Sequence, residues 1–221
     1  MAGVRVVMPR PREATVETFE VAQPGAGQIL IETEASALSP GTELAVYTGV
    51  HQWLADPNRA WPKFPFVPGY SAVGRVLAVG AGVTAFRAGD RVLWPGRHES
   101  HALVNVADDN PLVRAIGDAL PASVAALATL ARFPLAALAQ CGVALGQSVA
   151  VLGLGTIGQI TLRLFAAAAA CPLIGLDPVA SRRAVAEHTP GVIALDPAIP
   201  DLRAALRQIN HGQLPDIVVD A

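Results

Sequence analysis

Six residues of one short stretch have the types and spacing for phosphate recognition. Gly153-Leu154-Gly155-Thr156-Ile157-Gly158 fits G-x-G-x-x-G. The apolar run Val149 to Leu152 precedes it. An Ala-rich segment, Gln159 to Ala170, follows, with Ile160, Leu164 and Ala168 at helical spacing and Pro172 as the breaker. A second apolar run, Leu173 to Leu176, ends on Asp177. Strand, glycine turn, helix, strand and acid are the parts of a dinucleotide site in their working order. Gly153 permits the tight turn, Gly155 lets the backbone approach a pyrophosphate, and Gly158 lets the helix pack close to the strand. The helix N-terminus, Thr156 and Ile157, offers unpaired N–H groups and a positive dipole end to phosphates. Asp177 lies 22 residues after Gly155, where a carboxylate accepts hydrogen bonds from a ribose diol. A carboxylate there favours a free 2′-hydroxyl and repels a 2′-phosphate, so NAD(H) is expected over NADP(H). Arg182, five residues on, is placed against the adenosine ribose and partly offsets this. Arg183 is assigned to the solvated face of its helix.

The elements that must position this site come from a chain of 221 residues, 52% hydrophobic and 15% charged, with net charge −2. That composition supplies ample core for one large or two small domains and excludes a disordered chain. Without a basic run or an acidic tail, neither a nucleic acid nor a membrane surface is an expected partner. Cys141 and Cys171 sit in apolar surroundings and are expected as buried thiols of a reducing compartment. The N-terminus has no long apolar h-region, and no unbroken stretch of about 18 apolar residues indicates a membrane span. A cytoplasmic protein is the default expectation.

Residues 1 to 118 are expected to form a β-rich domain, with strands at Val4–Val7, Thr15–Val21, Ile29–Thr33, Ala72–Val79, Arg91–Trp94 and Ala102–Val106. Residues 39 to 68 are expected to be loop-rich, their aromatics covering a core edge between prolines. Helix formers dominate Pro121–Ala131 and Pro134–Gln140. Residues 119 to 221 form the second expected domain. In it, strands at Val149–Leu152, Leu173–Leu176, Val192–Leu195 and Asp216–Val219 alternate with helices at Thr156–Ala170, Val179–Glu187 and Pro200–Ile209. That alternation predicts an α/β fold with a parallel sheet, right-handed crossovers and helices on both faces.

Two further motifs carry a family resemblance. Pro68-Gly69-Tyr70-Ser71-Ala72-Val73-Gly74-Arg75-Val76 resembles the P-G-H-E-x-x-G-x-V segment of medium-chain dehydrogenases/reductases. Gly82-Val83-Thr84-Ala85-Phe86-Arg87-Ala88-Gly89-Asp90-Arg91-Val92 is similar to their G-V-x-x-F-x-x-G-D-R-V turn and strand. The resemblance spans essentially the whole chain. It implies an N-terminal GroES-like catalytic domain, a Rossmann coenzyme domain and hydride transfer with NAD(H) or NADP(H). Ser36-Ala37-Leu38-Ser39-Pro40-Gly41-Thr42-Glu43 resembles the S-x-x-S-x-G-T-E signature of a zinc-poor branch that includes bacteriochlorophyllide hydroxyethyl dehydrogenase-like proteins.

The chain departs from the zinc-dependent members. Their first ligand position falls on Ser39 or Pro40, their second on Tyr70, and their third near Ala128 to Leu130; the Glu after the second is Ser71. No cysteine precedes Cys141, so a four-cysteine structural zinc lobe is absent as well. Hydroxyls do not replace thiolate and imidazole on zinc, so no metal site is expected. The resemblance places Tyr70, Ser71, Thr42 and Glu43 near the nicotinamide pocket, where Tyr or Ser could donate a hydrogen bond to a substrate oxygen. The alternative for Thr42 and Glu43 is a structural role in capping or turning their loop. His98-Glu99-Ser100-His101 follows Pro95-Gly96 and enters a strand, where two side chains need not converge on a metal; a surface or pocket-edge pair is expected. Cys141 has no nearby His or Lys to activate it as a nucleophile.

A coenzyme sheet of this kind has six strands in the order 3-2-1-4-5-6, and four are found. The sheet is therefore expected to be incomplete after Asp216-Ile217-Val218-Val219-Asp220-Ala221, with the remainder in a longer protein, supplied by a partner or lost. A homodimer, or a partner lending the missing strands, is the expected assembly. The leading functional expectation is a zinc-independent, NAD(H)-linked oxidoreductase acting on an alcohol, ketone or enone. The alternatives are a non-catalytic dinucleotide-binding protein or truncated pseudo-enzyme, and a structural subunit that borrows only the fold.

Overall fold

The computed structural model describes residues 1–106, 110 and 112–221. The chain divides into two compact units, Met1–Thr129 and Leu130–Ala221.

The first unit is built on antiparallel strands, and its central ones are buried at consecutive positions, Ile29 to Ile31 and Ala72 to Gly74. β1 (Ala2–Val7) and β2 (Thr15–Glu20) form an antiparallel hairpin. β3 (Gln28–Ser36), β4 (Ala72–Val79), β5 (Arg91–Trp94), β6 (His101–Asn105) and β7 (Arg114–Ala115) form a second antiparallel sheet in the order β6-β3-β4-β5-β7. Ile29, Ile31, Val76, Val92 and Trp94 fill its core. The stretch expected to be loop-rich contains a helix, α1 (Thr42–Thr48), bracketed by Gly41 and by Gly49 in the left-handed conformation at φ 79°. Only Glu43 and Val46 of this helix are buried, so it shows no apolar repeat for a sequence pattern to reveal. Phe66 is buried beside Met8 and Val46, so one of the loop aromatics does close a core edge.

After α2 (Ala122–Ala125), which is shorter than the sequence pattern indicated, the second unit opens with α3 (Arg132–Cys141). β8 (Val149–Leu152), β9 (Leu173–Leu176), β10 (Val192–Leu195) and β11 (Ile217–Asp220) form a parallel sheet in the order β10-β9-β8-β11. This is the expected 3-2-1-4 order. Between the strands run α4 (Thr156–Ala167), α5 (Ala180–Ala186) and α6 (Leu202–Ile209). Helices cover both faces: Val149, Val151 and Leu173 pack with Leu162 and Phe165 of α4, while Ala150, Ile174 and Leu176 pack with Leu202, Leu206 and Ile209 of α6. On β11, which pairs with β8, Val218 is 60% exposed.

Three sequence expectations are corrected here. α4 stops at Ala167, short of Pro172, because Ala169 turns left-handed at φ 59°. Cys141 and Cys171 are exposed rather than buried; one ends α3 and the other lies in the turn before β9, where apolar neighbours in sequence do not enclose a side chain. Arg183 is not on a solvated face. Its Nη1 donates to the Asp177 carbonyl at 2.7 Å and to Asp196 Oδ2 at 3.2 Å, tying the ends of β9 and β10.

Candidate functional site

In the second unit, the glycine turn joins β8 to α4. Gly153 lies at φ +84° and donates its N–H to the Leu176 carbonyl at 2.8 Å. A Cβ on Gly158 would overlap the Gly153 carbonyl oxygen, so only glycine lets the first turn of α4 close against the end of β8. A Cβ on Gly155 would meet nothing within 4 Å. Thr156 opens α4, and no side chain caps its N-terminus. The first-turn N–H groups of Thr156, Ile157 and Gly158 therefore have no side-chain cap at the positive end of a twelve-residue helix, and the space beside Gly155 is open. That geometry fits a pyrophosphate.

Asp177 ends β9 with 1% exposure, and backbone donors claim its carboxylate. Leu154 N–H donates to Oδ2 at 2.8 Å and Val179 N–H to Oδ1 at 2.7 Å. Arg182 Nη1 approaches Oδ2 at 3.4 Å. Burial pushes this carboxyl up. The two backbone hydrogen bonds and the Arg182 guanidinium outweigh it and hold the group below the ordinary aspartate value. Asp177 is thus a brace of the glycine turn as well as a ribose candidate, with Arg182 covering its remaining side. Gln159, absent from the sequence candidates, joins the same corner: its Nε2 donates to the Leu154 carbonyl at 3.2 Å and the Arg182 carbonyl at 2.8 Å. An amide one residue past a glycine fingerprint is the only signal that could have marked it.

In the first unit, the structure draws together the two ends of the Ser36–Glu43 signature. Glu43, on the first turn of α1, is 3% exposed. Its Oε2 accepts the Ser39 N–H at 2.6 Å and its Oε1 lies 3.0 Å from His98 Nε2. His98 Nδ1 lies 2.8 Å from Ser36 Oγ, at the end of β3. A carboxylate only accepts, so Nε2 carries the proton and Nδ1 accepts from the Ser36 hydroxyl. His98 and His101 are therefore not a surface pair: the His98 side chain is 9% exposed, and His101, itself buried, turns its Nδ1 to Ser100 Oγ at 3.0 Å. The backbones explain why His98 reaches inward. Gly69, at φ +105°, packs so tightly on Arg97 and His98 that a Cβ would meet the His98 nitrogen at 2.5 Å. His98 N–H donates to the Pro68 carbonyl at 3.0 Å.

The other candidates divide. Tyr70 follows Gly69 and is half-buried, and Thr42 opens α1. Neither hydroxyl is engaged by a hydrogen bond among the described residues. Ser71 is fully buried and its Oγ donates to the Ala126 carbonyl, which spends the hydroxyl on anchoring α2. Among the described residues, no group of three or more His, Cys, Asp or Glu side chains could hold a metal ion, and no helix is long and apolar enough to cross a membrane.

A parallel sheet in the 3-2-1-4 order, with a glycine turn at its central strand and an acid at the end of the next, defines a Rossmann-type coenzyme fold. The comparisons agree. Residues 25–140 match the alcohol dehydrogenase GroES-like domain. The 2-desacetyl-2-hydroxyethyl bacteriochlorophyllide A dehydrogenase of Cereibacter sphaeroides is 34% identical over 236 residues, an alignment covering 100% of this chain and 70% of that protein. Among solved structures, 2R,3R-butanediol dehydrogenase of Bacillus subtilis superposes with a TM-score of 0.84 at 20% identity, covering 99% of this chain and 70% of that one. An alcohol dehydrogenase from Escherichia coli CFT073, complexed with NADH, gives 0.81 at 18% identity, covering 100% and 69%. The chain belongs to the medium-chain dehydrogenase/reductase family of NAD(P)-dependent oxidoreductases. It spans about 70% of the length of these relatives.

Proposed function

We propose that the chain carries the coenzyme-binding and catalytic parts of a zinc-independent oxidoreductase that prefers NAD(H) and acts on a small-molecule alcohol or carbonyl compound. The observation that carries this reading is the glycine turn braced by a buried acid, with open space at the N-terminus of α4. Bound NAD(H) supplies or accepts the hydride. The N–H groups of Thr156, Ile157 and Gly158 hold the pyrophosphate, and Gly155 leaves room for it. Asp177 would receive the ribose diol of NAD(H) once Arg182 left its Oδ2, and the Arg182 side chain is 54% exposed. The donor set does not fit a catalytic zinc. Ser39 and Tyr70 stand at the family's ligand positions, and Ala128, Thr129 and Leu130 at the third offer no thiolate, imidazole or carboxylate. Tyr70 and Thr42, whose hydroxyls are uncommitted, are the candidates to donate to a substrate oxygen, whereas Ser71 is held by Ala126.

Titration of the protein with NADH and NADPH, followed by a screen of carbonyl compounds for coenzyme oxidation, tests this reading. NADH is expected to bind the tighter of the two and to be oxidised. Binding of neither coenzyme would overturn the proposal.

A further inference from the structure

We propose that the first unit carries a further small-molecule site, a cavity lined from β1, β2 and β6 that binds an aliphatic α-amino acid. The cavity measures about 280 Å³, the scale of one small metabolite rather than of a dinucleotide. It lies wholly within the first unit, so it does not rest on the coenzyme reading above. Two arginines, Arg5 and Arg97, and two glutamates, Glu20 and Glu99, line it together with His101. Its apolar wall includes Val21 and Leu30, both buried.

The charged groups of this cavity do not satisfy one another. Among the described residues, the side chains of Glu20, Arg97 and Glu99 form no hydrogen bond or ion pair, although Glu99 is half-buried. Arg5 is weakly held: its Nη2 meets Glu17 Oε2 only at 3.4 Å, and its Nε is buried without a partner. His101 has a donor to offer. Ser100 Oγ accepts the Val4 N–H at 2.8 Å and gives its own proton to His101 Nδ1 at 3.0 Å. The ring proton is therefore on Nε2, which has no acceptor among the described residues. Partly buried polar groups without partners destabilise the fold, and a ligand that supplies the partners is held strongly in turn. Both signs of charge line the one cavity in equal number, so neither a plain anion nor a plain cation completes it. A zwitterion does. Its carboxylate accepts from Arg97, Arg5 and the His101 Nε2–H, and its ammonium donates to Glu99 and Glu20. An aliphatic side chain then rests on Val21 and Leu30. Burial pushes the Glu99 carboxyl up while the Arg97 and Arg5 charges pull it down. An ammonium beside it adds the counter-charge that a half-buried carboxylate favours.

The test titrates the full chain with three probes: L-leucine, 4-methylpentanoate, which lacks the ammonium, and 3-methylbutylamine, which lacks the carboxylate. Binding is followed in ¹⁵N spectra of the arginine Nε and histidine ring groups. Leucine is expected to bind about tenfold or more tighter than either analogue and to shift the Arg5, Arg97 and His101 signals. R97A and E99Q should each weaken leucine binding by about 10- to 100-fold, the loss of a charge-assisted hydrogen bond. R97K should recover part of it. E99Q keeps the shape of the side chain, so a melting temperature near wild type separates lost binding from lost folding. E99Q should also leave 4-methylpentanoate binding no weaker than in wild type, which a general disturbance of the cavity would not allow. No leucine-dependent shift at millimolar concentration overturns the proposal, and so does a leucine affinity that R97A and E99Q leave unchanged. Binding of 4-methylpentanoate as tight as that of leucine would mark a plain carboxylate site and overturns the amino-acid assignment. Equally tight binding of 3-methylbutylamine would mark an amine site and does the same.

Discussion

The Asp177 carboxylate accepts the Leu154 N–H at 2.8 Å, so the acid at the end of β9 holds the glycine turn at the end of β8. The residue proposed to choose the coenzyme's ribose would also shape the proposed seat of its phosphates. A loss at Asp177 therefore reaches both halves of the site.

Asp177→Ala is expected to weaken NADH binding and to narrow its advantage over NADPH. It leaves the N–H groups of Leu154 and Val179 without their acceptor, a cost of about 1–3 kcal/mol for a buried group. Asp177→Asn retains one acceptor oxygen and should lose less stability while losing a similar share of coenzyme preference. Thermal melts and titrations with both coenzymes would check the pair. Wild-type preference for NADPH would show that Asp177 does not select the ribose.

Gly158→Ala places a methyl group on the Gly153 carbonyl oxygen. Neither partner is a flexible side chain, so α4 must shift away from β8, at a cost of about 1–3 kcal/mol for overpacking. Coenzyme affinity should fall with stability, because the displaced helix carries the N–H groups proposed to bind phosphate. Gly155→Ala meets no such obstacle. It should leave the melting temperature near wild type and impair only binding. Equal melting temperatures for wild type and Gly158→Ala would refute this.

The second unit was legible because each of its strands is a short apolar run closed by a turn signal. β8, β9 and β10 fall on the residues the pattern indicates, since periodicity and punctuation are local properties. The Ser36–His98–Glu43 contacts were not legible in this way. His98 is 55 residues from Glu43 and 62 from Ser36 in sequence. The packing of Gly69 on Arg97 and His98 and the backbone bonds of His98 to Val6 and Pro68 bring them together. α1 was missed for a related reason, since one buried turn between glycines leaves no repeat. The thiols were misjudged because composition around a cysteine does not report whether its element is ending.

Purified without chelator, the protein is expected to contain no stoichiometric zinc. The family's ligand positions hold Ser39, Tyr70 and the stretch Ala128 to Leu130, none of which carries a zinc-binding thiolate or imidazole. His98 is no substitute, because both of its ring nitrogens are engaged by Ser36 and Glu43. Elemental analysis would check this, and one zinc per chain would sink the zinc-free reading.

Acid should loosen the second unit through two aspartates. Asp216 Oδ2 accepts both the Ser148 N–H at 2.8 Å and the Ser148 Oγ–H at 2.6 Å, linking the starts of β8 and β11. The Ser148 hydroxyl and N–H hold the Asp216 carboxyl below the ordinary value of 3.8. Asp177 is held below the same value, its backbone and Arg182 contacts outweighing burial. A carboxylate depressed in the folded state stabilises the fold fully above its unfolded value. That contribution is lost as the pH falls through the folded one. Both aspartates should therefore contribute in full at neutral pH and release protection only below about pH 4. Asp216→Asn removes one of these contributions. It should lower the melting temperature at neutral pH, with the gap from wild type closing as the pH drops below the aspartate range. Melting curves of the two proteins from neutral pH down to about pH 2.5 would show this. A gap that stays constant across that range would mean that Asp216 stabilises β8 and β11 without its charge.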